Sequence, residues 1–272
     1  NYMTLPRGTT TQSNRGRAVI WMGIIAADHT YGKNIDYIDI QSLGTSKKFG
    51  DLSDTYGLGA GASSSTRGVM IGGSTPGAGT ASGGNINIIE YVTLATTSNA
   101  TDFGDLTTLF RYGAGISNQT RGLAAGAYQG GGAGGTLNVI QYITIATTGN
   151  TQDFGDMIVD SGGGVQGMGA CSSSTRGITF GGGTPSMLND INYITIGTLS
   201  NSVDFGDLSA ARYLCQGVSN GTRGVVAGGD NSGAVNIIEY ITIASTGNTT
   251  DFGDLSSASE LTGSEGGSNK IR

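Results

Sequence analysis

Thr101-Asp102-Phe103-Gly104-Asp105-Leu106 is the stretch that decides how this chain is read, because it recurs. DFGDM begins at Asp153, DFGDL at Asp204 and again at Asp251, and KFGDL begins at Lys48. Two carboxylates flanking an aromatic and a glycine could, in a single copy, be an acid pair, a cation site or a turn. Five copies in one chain are explained first as a repeat.

Working outward, a tyrosine precedes the phenylalanine of each copy by 12 residues: Tyr37, Tyr91, Tyr142, Tyr193 and Tyr240 pair in this way with Phe49, Phe103, Phe154, Phe205 and Phe252. Further upstream stands an arginine, within S-[NS]-x-T-R-G at Arg67, Arg121, Arg176 and Arg223, with Arg17 of SNRGR in the same column. The interval from arginine to tyrosine is 20, 24, 21, 17 and 17 residues, so insertions are taken up there while the rest of the frame is held. The arginines recur every 47 to 55 residues.

Each period holds four β-rich stretches. In the third they are RYGAGIS from Arg111, RGLAAGA from Arg121, LNVIQYITIA from Leu137 and TQDFGDM from Thr151, separated by Asn, Gly and Thr turn residues. β-branched residues dominate the apolar positions and no useful length has helical periodicity. Four strands per repeat at this period predict an all-β fold, a five-bladed β-propeller with four antiparallel strands per blade. The chain reads as one domain, 1–272, with repeats at about 7–52, 53–106, 107–157, 158–208 and 209–255; residues 256–272 are either a ring-closing strand or an external tail. Segments 7–17 and 256–272 both align with a first strand, so either end could close the ring, and a third reading is that these repeats are part of a longer array. Trp21 replaces the smaller residues of the other repeats and is read as a core filler.

Composition agrees with this reading and narrows function. Glycine is 50 of 272 residues with only 3 prolines and no Gly-X-Y period, so the glycines are expected in turns and closely packed strands. A net charge of -6 without a basic run argues against phosphate neutralisation, hence against nucleic acid. The longest apolar run, near Ala18 to Ala27, is interrupted by Gly23 and too short to span a bilayer, so membrane insertion is not expected. No secretory leader is visible at NYMTLPRG, and the first residue is not Met. Cys171 and Cys215 are expected to be buried free thiols.

The order of these motifs resembles the kelch family: the double glycines Gly72-Gly73, Gly182-Gly183 and Gly228-Gly229 after an apolar strand, then the tyrosine, then an aromatic opening the outer strand. The resemblance covers nearly the whole chain. It departs in having Phe where kelch repeats usually carry Trp. The variant with TRGxxxGG, YITIATTGN and DFGDL looks like repeats of predicted structural and tail-fibre proteins of bacteriophages, including those of cyanobacteria. That resemblance implies a virion protein at the particle surface, whose partners are other virion proteins or a host-surface glycan or receptor; a homo-oligomer fits equally.

For enzymatic chemistry the chain offers little. His29 is the only histidine, so a multi-histidine metal site, including that of the kelch-fold copper oxidases, has no ligands here. No metal or cofactor is expected. Asp51, Asp105, Asp156, Asp207 and Asp254 end the five DFGD copies, whereas Lys48 replaces the first Asp in the opening repeat. Five equivalent catalytic sites would be unusual, and the favoured reading is structural: the repeated arginine pairing with the first Asp, and the second Asp capping a strand end. Asn99, Asn118, Asn220 and Asn248, each in Asn-x-Thr, are assigned to turn chemistry.

Binding residues concentrate on irregular loops held by a rigid frame. The variable loops between second and third strands share a face with the blade-to-blade connections, and His29, Tyr31, Tyr128, Met187 and Asp230 are their most contact-capable side chains. The expected function is therefore non-enzymatic structural or adhesive binding through this face. The alternative is a glycan-processing enzyme using acidic residues in the propeller channel.

Overall fold

The computed structural model describes residues 17–21, 24–25, 30–40, 42–76, 84–130, 135–159, 163–260 and 265–266. It is a five-bladed β-propeller. Blade 2 runs Ala60–Ser63, Arg67–Ser74, Asn85–Thr93 and Thr101–Asp105, blade 3 Ala114–Ser117, Arg121–Tyr128, Thr136–Thr144 and Gln152–Asp156. Blade 4 runs Gly169–Ser172, Arg176–Phe180, Asp190–Thr195 and Val203–Asp207, blade 5 Gln216–Ser219, Arg223–Ala227, Ile237–Thr242 and Thr250–Asp254. In these four blades successive strands pair antiparallel in chain order. Blade 1 comprises Arg17–Ile20, Asn34–Asp39 and Lys47–Asp51; the segment 7–16 aligned with its inner strand lies outside the described residues. Of the tail, Glu265–Gly266 pairs parallel with Ala60–Ser63, the inner strand of blade 2.

The DFGD motif is a bulge. In blade 3, Ile140 pairs with Gly155 and Gln141 with Asp153, so Phe154 is the extra residue, and Gly155 takes φ +146, which a side chain would disfavour. The bulge turns the phenylalanine out of its own sheet into the next blade. Phe154 and Met157 pack with Ile194 and Ile196 of blade 4, Phe103 and Leu106 with Ile143 and Ile145 of blade 3, Phe205 and Leu208 with Ile241 and Ile243 of blade 5, and Phe49 and Leu52 with Val92 and Leu94 of blade 2. The core is thus four wedges between consecutive blades. Burying each phenylalanine stabilises a joint by about 1.5–3 kcal/mol.

Each wedge is held by the same polar contacts. The repeated arginine lies over its own blade's tyrosine, 4.3 to 4.9 Å from ring centre. Four of the five then donate through Nη1 to a carbonyl of the following blade: Arg17 to Leu94 (2.6 Å), Arg67 to Ile145 (2.8 Å), Arg121 to Ile196 (2.9 Å) and Arg176 to Ile243 (3.0 Å). The expected pairing of this arginine with the first Asp of DFGD is not what forms. The guanidinium finds a backbone acceptor left over at the end of the neighbour's third strand, while Asp102, Asp153, Asp204 and Asp251 stay exposed.

The second Asp ends its strand through its backbone. The amides of Asp51, Asp105, Asp156 and Asp207 donate to Oδ1 of Asn99, Asn150, Asn201 and Asn248 in the next blade, at 3.0 to 3.1 Å. Turn chemistry therefore accounts for Asn118 and Asn220, whose Oδ1 atoms accept from Arg121 N and Arg223 N, whereas Asn99 and Asn248 act across a joint. The double glycine also shifts: Gly72-Gly73 (φ +59, +117) and Gly228-Gly229 (φ +62, +108) correspond in blade 4 to Gly181-Gly182 (φ +58, +106), one residue earlier than the sequence pattern suggests. Trp21 packs over Gly68 of blade 2, as a core filler would.

Candidate functional site at the channel mouth

The connection entering each blade arrives on the face that carries the variable loops. There it pairs with the end of the second strand: Gly57 with Ser74, Arg111 with Tyr128, Gln166 with Gly183 and Tyr213 with Asp230. Just before each inner strand stands a residue with a left-handed backbone: Leu58 (φ 61), Tyr112 (φ 56), Gly167 (φ 66) and Leu214 (φ 54). These four are linked blade to blade. Tyr112 N donates to Leu58 O (3.0 Å), Gly167 N to Tyr112 O (2.7 Å) and Leu214 N to Gly167 O (2.7 Å), a collar at the start of the inner strands. Three bulky residues at positive φ cost of order 1–3 kcal/mol each, and the collar's hydrogen bonds hold them there.

Aromatic side chains gather on this collar. The ring of Tyr31 lies against Gly57, where an added Cβ would come within 2.5 Å of Cδ1, and its hydroxyl accepts from Ser74 Oγ at 3.4 Å. The phenol of Tyr112 is pushed up by burial, drawn down by Arg111, and raised again by the neighbouring Tyr31 and Tyr213 phenols. Tyr213 is raised by burial, then by the carboxylates of Asp230 and Glu260. Arg111 sits 5.2 Å from the ring centre of Tyr112 and 4.8 Å from that of Tyr128, and its Nε is buried without a hydrogen-bond partner among the described residues. The mouth thus presents phenol hydroxyls and ring faces, one cation and two carboxylates.

Of the loop residues singled out from sequence, Tyr31, Tyr128 and Asp230 reach this mouth. Met187 pairs with Gly183, which in turn pairs with Gln166, so it stands at the corresponding place in blade 4. Asp230 Oδ1 also accepts from Gly233 N at 2.8 Å, closing its own loop. His29 lies outside the described residues. Sequence reading missed Arg111, Tyr112 and Tyr213, which belong to the connections rather than the loops. Arg111 and Tyr213 hold the same place before two inner strands, each pairing with the end of its blade's second strand, and only the structure sets them in register.

A second polar group is buried away from the mouth. Arg212, fully buried, pairs with Glu239, whose carboxylate also accepts from Ser209 N (3.0 Å) and Thr249 Oγ1 (2.7 Å). Other blades put Tyr56, Phe110 and Val165 where blade 5 has Arg212. Among the described residues, no three or more His, Cys, Asp or Glu side chains are grouped as metal ligands.

No protein-family model matches the chain, and no curated protein matches it. Among solved structures, that of YjhT superposes with a TM-score of 0.73 at 10% sequence identity, over 93% of this chain and 85% of that one. At that identity the likeness concerns the fold alone.

Proposed function

We propose that this propeller is a non-enzymatic, kelch-like virion structural and adhesion module whose loop face binds a host-surface glycan or another virion protein. The observation that carries the binding reading is the mouth itself, where Tyr31, Tyr112, Tyr128 and Tyr213 converge with Arg111 and Asp230 on a rigid collar. Sugars are held by aromatic faces stacking on their C–H surfaces and by fixed polar groups meeting their hydroxyls, and binding sites of this kind combine apolar walls with a few oriented polar groups. A phenol serves both purposes. The virion setting rests on the likeness of the TRG, YITIATTGN and DFGDL repeats to those of predicted phage proteins.

The test is a glycan array and host-cell binding with the full chain, beside mass spectrometry of particles. Tyr112→Asn keeps a residue that tolerates positive φ, and Tyr213→Ala removes a second ring. Each is expected to weaken glycan binding by about tenfold, the equivalent of one lost contact of 1.4 kcal/mol, with an unchanged melting temperature. Absence of binding to glycans, cells and virion proteins alike would sink the reading, and turnover of a bound glycan would replace it with the enzymatic alternative.

A further inference from the structure

Among the described residues, four joints between consecutive blades are complete, and the face that blade 5 presents is uncovered. The face that blade 5 presents carries the whole presenting half: Arg223, Phe252, Gly253 (φ +137) and the Asp254 amide, in the same frame as the others. Yet Phe252 is 52% exposed, where its four counterparts are 2 to 3% exposed. Val218 on the inner strand is 55% exposed, while its counterparts Ala62, Ile116 and Cys171 are buried. A Cβ on Gly253 would meet nothing within 4 Å, whereas one on Gly104, Gly155 or Gly206 would lie 2.5 Å from the backbone of the next blade's turn. Among the described residues, Arg223 has no carbonyl partner and Asp254 N no asparagine.

Blade 1 is not built to complete this joint. In each complete joint that follows blades 2, 3 and 4, the presenting inner strand packs on the glycine after the receiving arginine: Ala62 on Gly122, Ile116 on Gly177 and Cys171 on Gly224. A Cβ added to any of these glycines would come within 2.3 to 2.9 Å of that side chain. Blade 1 has Ala18 at that place, which would be driven into Val218. It also has Thr45 where the receiving blades carry Asn99, Asn150, Asn201 and Asn248, so the Asp254 amide would lose its acceptor. On its other side Arg17 reaches Leu94 O and Phe49 is buried, as their counterparts are in blades 2 to 4.

We propose that the outer face of blade 5 is a docking surface for a sixth repeat of this same type, one with glycine after its TRG arginine and asparagine in its TGN turn. The four internal joints define what that face recognises: a carbonyl for Arg223, an Asn Oδ1 for Asp254 N, a small turn for Gly253 and paired aliphatic side chains for Phe252. A second copy of this chain does not supply such a repeat, since its blade 1 carries Ala18 and Thr45 and its blades 2 to 5 already receive. This inference concerns the joint and stands apart from binding at the mouth.

The test extends the full 272-residue chain by a Gly/Ser linker and a copy of residues 158–208, whose receiving side has Gly177, Asn201 and Ile196 O. Amide hydrogen exchange at Asp254 is expected to slow in the extended protein by about tenfold or more, towards the rates of Asp105, Asp156 and Asp207, as local opening becomes costlier. A copy carrying Gly177→Ala and Asn201→Thr gives no slowing. Because such a copy could fail to fold, a second comparison uses Arg223→Met, which lowers the melting temperature of the extended protein by clearly more than that of the 272-residue chain, where only the stacking on Tyr240 is lost. The proposal is overturned if Asp254 is already as protected as Asp207 in the unextended chain, if that protection rises with protein concentration, or if both appended copies protect equally.

Discussion

Gly104 and Gly253 occupy the same place in their repeats and nearly the same backbone conformation, φ +143 and +137, but different surroundings. A methyl on Gly104 would lie 2.5 Å from the carbonyl of Gly149, and one on Gly253 in open space. Gly253→Ala should therefore cost only the conformational strain, about 1–2 kcal/mol. Gly104→Ala adds displacement of a packed backbone turn and should cost roughly 3 kcal/mol or more. Urea midpoints of the two variants check this, and equal losses would contradict it. Cys171 gives a pH test at the same scale. Burial pushes its thiol up to about 12, and Cys215 is raised by burial as well. Since only the thiolate reacts, neither should react with a disulfide reagent in the folded protein as pH rises through about 8.5, where an ordinary thiol ionises, and both should react once it is unfolded. The buried thiols were legible in the sequence; that both lie at the joint between blades 4 and 5, Cys171 against Gly224 and Cys215 against Gly169, was not, because these neighbours come from the adjoining repeat.

At the scale of the element, the unit of this fold is the joint as much as the blade. The strands and their grouping into five blades were legible, since periodicity and repeat spacing report them directly. The arginine's partner was not, because a backbone carbonyl leaves no mark in a sequence whereas a carboxylate does. Arg212 shows the same limit from the other side. Its repeat position is apolar elsewhere, and only the fold reveals that Glu239, 27 residues on, neutralises it. Glu239→Ala should cost about 3–5 kcal/mol by leaving a buried guanidinium unpaired. Replacing both residues with those blade 3 uses, Arg212→Phe with Glu239→Gln after Phe110 and Gln141, should bring stability back to within about 1 kcal/mol of the parent, as buried ion pairs yield to apolar packing with little loss. Denaturant unfolding of the single and double variants measures this. A double variant as unstable as Glu239→Ala would show that the position requires its charge.

For the whole molecule, an open face on blade 5, as proposed above, would change how stability is distributed. In a closed ring every blade has two neighbours and unfolding is shared; with one joint open, blades 1 and 5 each lose a neighbour, and stability follows nearest-neighbour terms as in a repeat array. The residue Trp21, the only tryptophan in the chain, happens to report on one end. It belongs to blade 1 and is half-buried over Gly68, at the joint between blades 1 and 2. Its fluorescence should therefore change at a lower urea concentration than the far-ultraviolet circular dichroism, which averages all blades, and the two curves should not superpose. Phe49→Ala, which removes the wedge of that joint, should move the fluorescence transition further down while leaving the main circular dichroism transition nearly in place, because the joints among blades 2 to 5 do not include it. Coincident transitions in the parent protein, moved together by Phe49→Ala, would mean that the ring unfolds as one closed unit and that the face of blade 5 is covered in solution.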